Sequence, residues 1–227
     1  KTKINPYLFI HQFSEHLQGG EIIVYDGGSI MNYVMQTFQI KMGQRLVCST
    51  GLELPGFAVP GAIGVSQWID KPIYCLCEGE GILNSISNLQ AIATNQLPIK
   101  ILIFRSQGNA TVRKIQRDFF GSRYVGTDDE ILFSCPEIKE IARVYDIPFL
   151  DIKTPDRIVD GLKDFLCQKG PVICEIHVDS DQELIPRMGF TIKEDGKWLA
   201  KPLEDMYPLL DRNVLKNAMC IDLWEED

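Results

Sequence analysis

The chain has 227 residues, 45% apolar and 24% charged, the composition of an ordinary globular protein of one or two domains with enough length to bury a core. Its longest apolar runs, such as Ile99 to Phe104 and Pro72 to Cys77, fall well short of the roughly 20 residues a membrane span needs, and the first residues carry no signal-peptide pattern. A formal net charge of −8 argues against nucleic acid as a partner, because phosphate-backbone binding rests on clustered Lys and Arg.

In chain order, a helix is expected over Asn5 to Leu17, then a strand over Glu21 to Tyr25 and a helix over Ile30 to Phe38. A second strand follows at Arg45 to Ser49, a helix at Ala58 to Trp68, a third strand at Pro72 to Glu78 and a helix at Leu83 to Asn95. Strand four spans Ile99 to Arg105. The segment from Gly108 to Asp129, rich in Arg, Gly and aromatics, reads as a functional loop holding a short helix. A helix at Pro136 to Tyr145, with Ser134 available as its N-cap, leads to strand five at Ile147 to Ile152. A helix at Asp156 to Cys167 and strand six at Pro171 to Val178 complete the alternation. Several strands are apolar at nearly every position, as a parallel strand covered by helices on both faces requires. The expected architecture is α/β, an open, mainly parallel six-stranded sheet with helices on both faces, over residues 1–180. Residues 181–227 read as a C-terminal extension that packs on this domain or on a partner.

Seven cysteines, an odd number without framework spacing, favour a reducing compartment, and a cytoplasmic location is expected. Cys75 and Cys77 lie two apart in an apolar strand, so both thiols share one face as packing.

In an open parallel sheet, ligands bind beyond the carboxyl ends of the strands. Four turns there combine glycine with small or charged residues: Asp26-Gly27-Gly28-Ser29, Ser49-Thr50-Gly51, Glu78-Gly79-Glu80-Gly81 and Arg105-Ser106-Gln107-Gly108-Asn109. Glycine lets backbone amides approach a ligand, and a following helix N-terminus favours an anion, so phosphate is the class these turns suit together. Taken singly, each turn is as well explained by the ordinary preference of such loops for Gly, Asp and Ser. Glu80 and Ser106 are 26 residues apart, one helix plus one strand, so both would emerge at the carboxyl ends of adjacent strands. With the Gly108 carbonyl they offer hard oxygen donors to a divalent cation that keeps its other positions for phosphate and water.

The order of motifs resembles the C-terminal, diphosphate-binding domain of thiamine diphosphate-dependent enzymes of the acetolactate synthase type, from about Asn5 to Leu210. The family's GDG turn, N-L-P-[VI]-K-I run and Asn-Asn pair correspond to Gly79-Glu80-Gly81, Gln96-Leu97-Pro98-Ile99-Lys100-Ile101 and Arg105-Ser106. Gly56 to Gly64 is similar to G-F-G-L-P-A-A-I-G, Phe120 to Tyr124 to an F-x-G-R-Y loop, and Gly170 to Glu175 to the last strand. The tail, through Ile185-Pro186-Arg187 and Pro208-Leu209-Leu210, is similar to members found in polysaccharide-biosynthesis settings.

The resemblance implies thiamine diphosphate and Mg2+ as cofactors, decarboxylation of a small 2-oxo acid and carboligation. It implies Glu80, Ser106 and the Gly108 carbonyl as metal ligands, and Gly27, Gly28, Ser29, Gly79, Gly81, Asn109 and Ala110 around the phosphates. Glu53, Leu54 and Pro55 would lie beside the ring junction, and Thr111 to Gln116 with the tail would recognise the acceptor. The departures fall on the motif itself: Glu80 stands where the family has Asp, Ser106 for its second Asn and Pro55 for the ring-propping residue. Arg105 replaces the first Asn and is a cation able to face a phosphate. The family's pyrimidine-binding domain, which carries the activating Glu, is not within residues 1–227, so no catalytic residue is expected in this chain. A pyrimidine-binding domain or subunit and a homo-oligomer are the implied partners. A non-catalytic relative with a decayed metal site is the alternative. A dinucleotide fingerprint fits poorly, because Asn84 occupies the place of its third glycine.

Overall fold

The computed structural model describes residues 3–106, 110–127 and 136–222. It forms two compact units, residues 1–182 and 183–227. The first is built on a parallel sheet of β1 (Ile22–Tyr25), β2 (Arg45–Val47), β3 (Ile73–Glu78), β4 (Ile99–Arg105), β5 (Phe149–Ile152) and β6 (Val172–His177), in the order β2-β1-β3-β4-β6-β5. Its helices are α1 (Pro6–His16), α2 (Ser29–Thr37), α3 (Ala58–Ser66), α4 (Gly79–Asn84), α5 (Leu89–Thr94), α6 (Ala110–Phe119), α7 (Ile138–Val144) and α8 (Ile158–Cys167). This is the α/β architecture expected from the alternation of elements.

Period-2 geometry sorts the strand residues between two layers. Cys75 and Cys77 of β3, Ile99, Ile101 and Ile103 of β4 and Ile173 of β6 form one core with Ala58, Val59 and Ala62 of α3, Ile92 of α5 and Ile138 of α7. On the other layer the packing is aromatic: Phe9 meets Phe104 edge-on at 5.5 Å, and Phe13 meets Tyr74 at 5.4 Å. The paired thiols are thus packing, as their spacing predicts.

Lys100 is one of the charged residues buried in this interior. It is 3% exposed, and its ammonium donates to the carbonyls of Phe165 and Leu166 at the end of α8, groups a helix terminus leaves unsatisfied. Burial pulls its pKa down. Lys100→Met should cost about 1–3 kcal/mol, because those carbonyls would stay buried without a donor. An unchanged urea midpoint would show that water reaches them instead.

Two expectations are corrected. The helix placed at Leu83 to Asn95 begins earlier, with Gly79 as the first residue of α4, and is broken by a 3-10 turn at Ile86–Asn88 before α5. Glu78 is still extended at φ −87°, ψ 168°, so the chain turns from strand to helix within one residue. The segment read mainly as a loop carries α6, a helix of 10 residues, with 120–127 folded back on it. The expected Ser134 cap lies outside the described residues.

The second unit pairs β7 (Arg187–Met188) with β10 (Met206–Tyr207), and β8 (Phe190–Ile192) with β9 (Trp198–Ala200), both antiparallel. It ends in α9 (Arg212–Ala218), capped by the Asp211 carboxylate, which accepts from the Asn213 amide at 2.9 Å. Asp205, 5% exposed, is held by both Arg212 nitrogens at 2.6 and 2.8 Å, a fork that compensates its burial. Among the described residues no helix is long and apolar enough to cross a membrane.

Candidate functional site

The strand order fixes where a ligand would sit. The chain leaves β1 for β2 on one side and then crosses back to β3 on the other, so the order reverses between β1 and β3. Connections diverge there and leave a crevice beyond the carboxyl ends. The two turns bordering it are Asp26 to Ser29 and Glu78 to Gly81.

Ser29 opens α2 and Thr111 lies in the first turn of α6, and their hydroxyls are 2.8 Å apart. Two helices, each of nine or more residues, therefore begin side by side, so that the partial positive charge of both N-termini falls at one place. Gly28, at φ 73°, is the N-cap of α2 and offers no side chain to cover that terminus. A β-carbon on Gly27 would fall 2.4 Å from the Cα of Glu53, so this glycine lets the 53–55 stretch lie directly against the β1 turn. Glu53 itself is held at φ 46°, a left-handed conformation that costs a non-glycine residue about 1 kcal/mol or more. Leu54, exposed, and Pro55 follow it.

Behind these turns sits a residue that sequence reasoning passed over. Asp26 is 1% exposed, and its Oδ1 accepts from the backbone amides of Gly56 at 3.1 Å and Ala58 at 2.8 Å. Burial pushes its carboxyl up to about 6, against the lowering effect of the Ala58, Gly56 and Phe57 amides. Its signal was local: an acidic residue ending a wholly buried strand, followed by two glycines that cannot shield it. The loop so held is also tied to α4, because Asn84 donates to the Pro55 carbonyl at 3.2 Å.

Glu78 pairs in register with Phe104 on the adjacent parallel strands β3 and β4, so Glu80 and Ser106 each lie two residues beyond a matched pair at the same edge. Glu80 is in the first turn of α4 and Ser106 is half-buried. Gly108 and Asn109 lie outside the described residues, and of Ala110 the backbone alone, as the first residue of α6, is described. Among the described residues no three His, Cys, Asp or Glu side chains converge on one point.

Arg105 faces two carboxylates. Its guanidinium reaches Glu175 at 3.0 Å and Glu137 at 3.2 Å, and Glu175 is 4% exposed. Arg105 in turn holds Glu137 below the ordinary carboxylate range. A phosphate would have to displace a carboxylate to gain this side chain, which corrects the reading of Arg105 as a cation open to an anion. Gln116 is likewise spent inside the fold: its side-chain amide donates to the Val125 carbonyl at 2.9 Å and accepts from the Thr127 hydroxyl at 2.6 Å. His177, at the end of β6, lies 3.5 Å from Glu175.

The model of the thiamine pyrophosphate enzyme C-terminal TPP binding domain matches residues 26–176, from the turn after β1 to the end of β6. The chain belongs to the thiamine pyrophosphate enzyme family. Within that family it is similar to acetolactate synthases. It is 23% identical over 193 residues to an acetolactate synthase large subunit of Lactococcus lactis, covering 85% of this chain and 33% of that protein. It is 25% identical to the mitochondrial acetolactate synthase catalytic subunit of Saccharomyces cerevisiae over 82% of this chain and 27% of the relative. It is 29% identical to the mitochondrial acetolactate synthase of Schizosaccharomyces pombe over 62% and 21%. The chain thus spans a third or less of the length of these curated relatives. The matched stretch, 26–176, contains both turns that border the β1/β3 crevice.

Proposed function

We propose that this chain supplies the diphosphate- and cation-binding half of a thiamine diphosphate site in an enzyme that decarboxylates a small 2-oxo acid and carries out carboligation. The observation that carries this reading is the meeting of the α2 and α6 N-termini through Ser29 and Thr111 at the β1/β3 reversal. Two helix N-termini beside a glycine turn match the charge of a diphosphate.

In this reading the amides after Gly27 and Gly28 and those of the first turn of α6, at Ala110 and Thr111, bind phosphate oxygens, with Asn109 beside them. The Ser29 and Thr111 hydroxyls orient them. Gly79 and Gly81 bring the chain close to the ligand, and Glu80, Ser106 and the Gly108 carbonyl hold Mg2+. The donor set is all oxygen, as that cation prefers. Glu53 to Pro55 lie beside the ring junction. Thiamine diphosphate, when bound, supplies the electron sink for losing carbon dioxide and joining the remainder to a second carbonyl. The residues of this chain bind and orient; the activating Glu belongs to a pyrimidine-binding domain or subunit, in a homo-oligomeric assembly.

Two measurements test this. Calorimetry on the intact protein should detect thiamine diphosphate binding that requires magnesium; no binding at any magnesium concentration would leave a non-catalytic relative as the survivor. Residues 1–227 expressed alone should give no turnover of pyruvate with cofactor and magnesium, and appreciable turnover would show that the activating group is inside this chain.

A further inference from the structure

Asp26 is a fully buried carboxylate at the crevice, and only half of it is explained by the bonds it makes. Oδ1 is used twice, by Gly56 and Ala58. Among the described residues no donor reaches Oδ2, which is buried as well. What Oδ2 does touch is the backbone at Gly81: a β-carbon built there would lie 1.9 Å from this oxygen and 3.1 Å from the Asp26 carboxyl carbon. Real β-carbons do not approach so closely, and the obstacle is a short side chain already fixed by two backbone bonds. It has little freedom to swing away.

Gly56 completes the arrangement. It sits at φ 97°, and a β-carbon on it would meet the Gly81 carbonyl at 3.2 Å and Asn84 at 2.8 Å. The loop at 56–58 and the first turn of α4 are therefore packed backbone against backbone, with the Asp26 carboxylate wedged beneath both.

We infer that Asp26 is a positioning residue, its carboxylate bolting the 56–58 loop with one oxygen and buttressing Gly81 with the other, so that the placement of the Gly79-Glu80-Gly81 turn depends on the Asp26/Gly81 pair. Its functional meaning rests on the reading of that turn as a cation site. The buttress itself does not, and the tests separate the two.

In the intact protein without cofactor, hydrogen exchange at the Gly56 and Ala58 amides should speed up about tenfold or more in Asp26→Ala, since each loses its acceptor. In Asp26→Asn, which keeps the shape and one acceptor oxygen, the change should stay under about threefold. Unchanged protection in Asp26→Ala overturns the bolt. Gly81→Ala should lower the thermal midpoint by roughly 5 °C or more in the wild-type background, and by less than half as much when combined with Asp26→Ser, which removes the colliding oxygen. Equal losses in the two backgrounds overturn the coupling. With cofactor and magnesium added, Gly81→Ala should weaken binding about tenfold or more, with part of that loss recovered in the double variant. A Gly81→Ala protein that binds as tightly as wild type overturns the link to the cation turn. If no form binds cofactor while the exchange and unfolding results hold, the functional reading fails and the buttress stands.

Discussion

Glu80→Ala in the intact protein should weaken thiamine diphosphate binding by on the order of 100-fold and remove its dependence on magnesium, while Arg105→Ala changes affinity by less than about fivefold. The asymmetry follows from what each residue faces. Glu80 lies two residues beyond the Glu78 and Phe104 register pair, at the edge where Ser106 ends the neighbouring strand. A bridging cation there would neutralise diphosphate charge that two helix N-termini balance only in part. Arg105 is turned to Glu137 and Glu175. Its removal leaves Glu175, almost wholly buried, without its cation, so Arg105→Ala should lower stability instead, by roughly 3 kcal/mol. Calorimetry with and without chelator, beside urea unfolding, separates the outcomes. Binding that survives chelation and collapses in Arg105→Ala would mean that the guanidinium leaves its carboxylates for the phosphate.

A second large effect is expected from Asp26 as pH changes. Its carboxyl is moved by burial from an ordinary 3.8 up to about 6. Unfolded, the group loses its proton near pH 4; folded, it keeps it until about 6, so between those values the native state binds more protons. The stability this residue contributes is therefore fully present below pH 4 and is lost as pH rises through 6. At about 1.4 kcal/mol per decade of proton affinity, the loss is roughly 3 kcal/mol at neutral pH. The Cys77 thiol beside it is pushed well up by its contact with Cys75 and by burial, and stays neutral across this range. Asp26→Asn has no proton to lose and nearly the same shape. Its stability relative to wild type should thus rise by about 3 kcal/mol between pH 4 and pH 7, read from urea midpoints at both. A difference that does not change with pH would show that Asp26 ionises as an exposed carboxylate does.

Much of this protein is written locally. Strands β1, β3, β4 and β6 are mostly apolar runs buried at nearly every position, and such runs are stable in a parallel sheet with two helical layers, whatever their order. Cys75 and Cys77 share a face because strand geometry leaves no other arrangement. The colinear motifs from the β1 turn to β6 identify the family, since they need only residue types and spacing. Neither the order of the strands nor the direction of a side chain is local. That the crevice opens between β1 and β3 depends on β2 lying outside β1, which no single segment encodes. Ser29 finds Thr111 across 82 residues, and Arg105 finds Glu175 across 70 and Glu137 across 32. In the sequence Arg105 is a free cation after a strand; in the fold, the pleat puts it on the same face as Glu175, and α7 brings Glu137 to its other side. Asp26 shows the same division. Its residue type and its place before two glycines are visible at once, but its burial, its raised proton affinity and its contact with Gly81 exist only when loop 56–58 and α4 close over it, because desolvation is a property of packing and not of sequence.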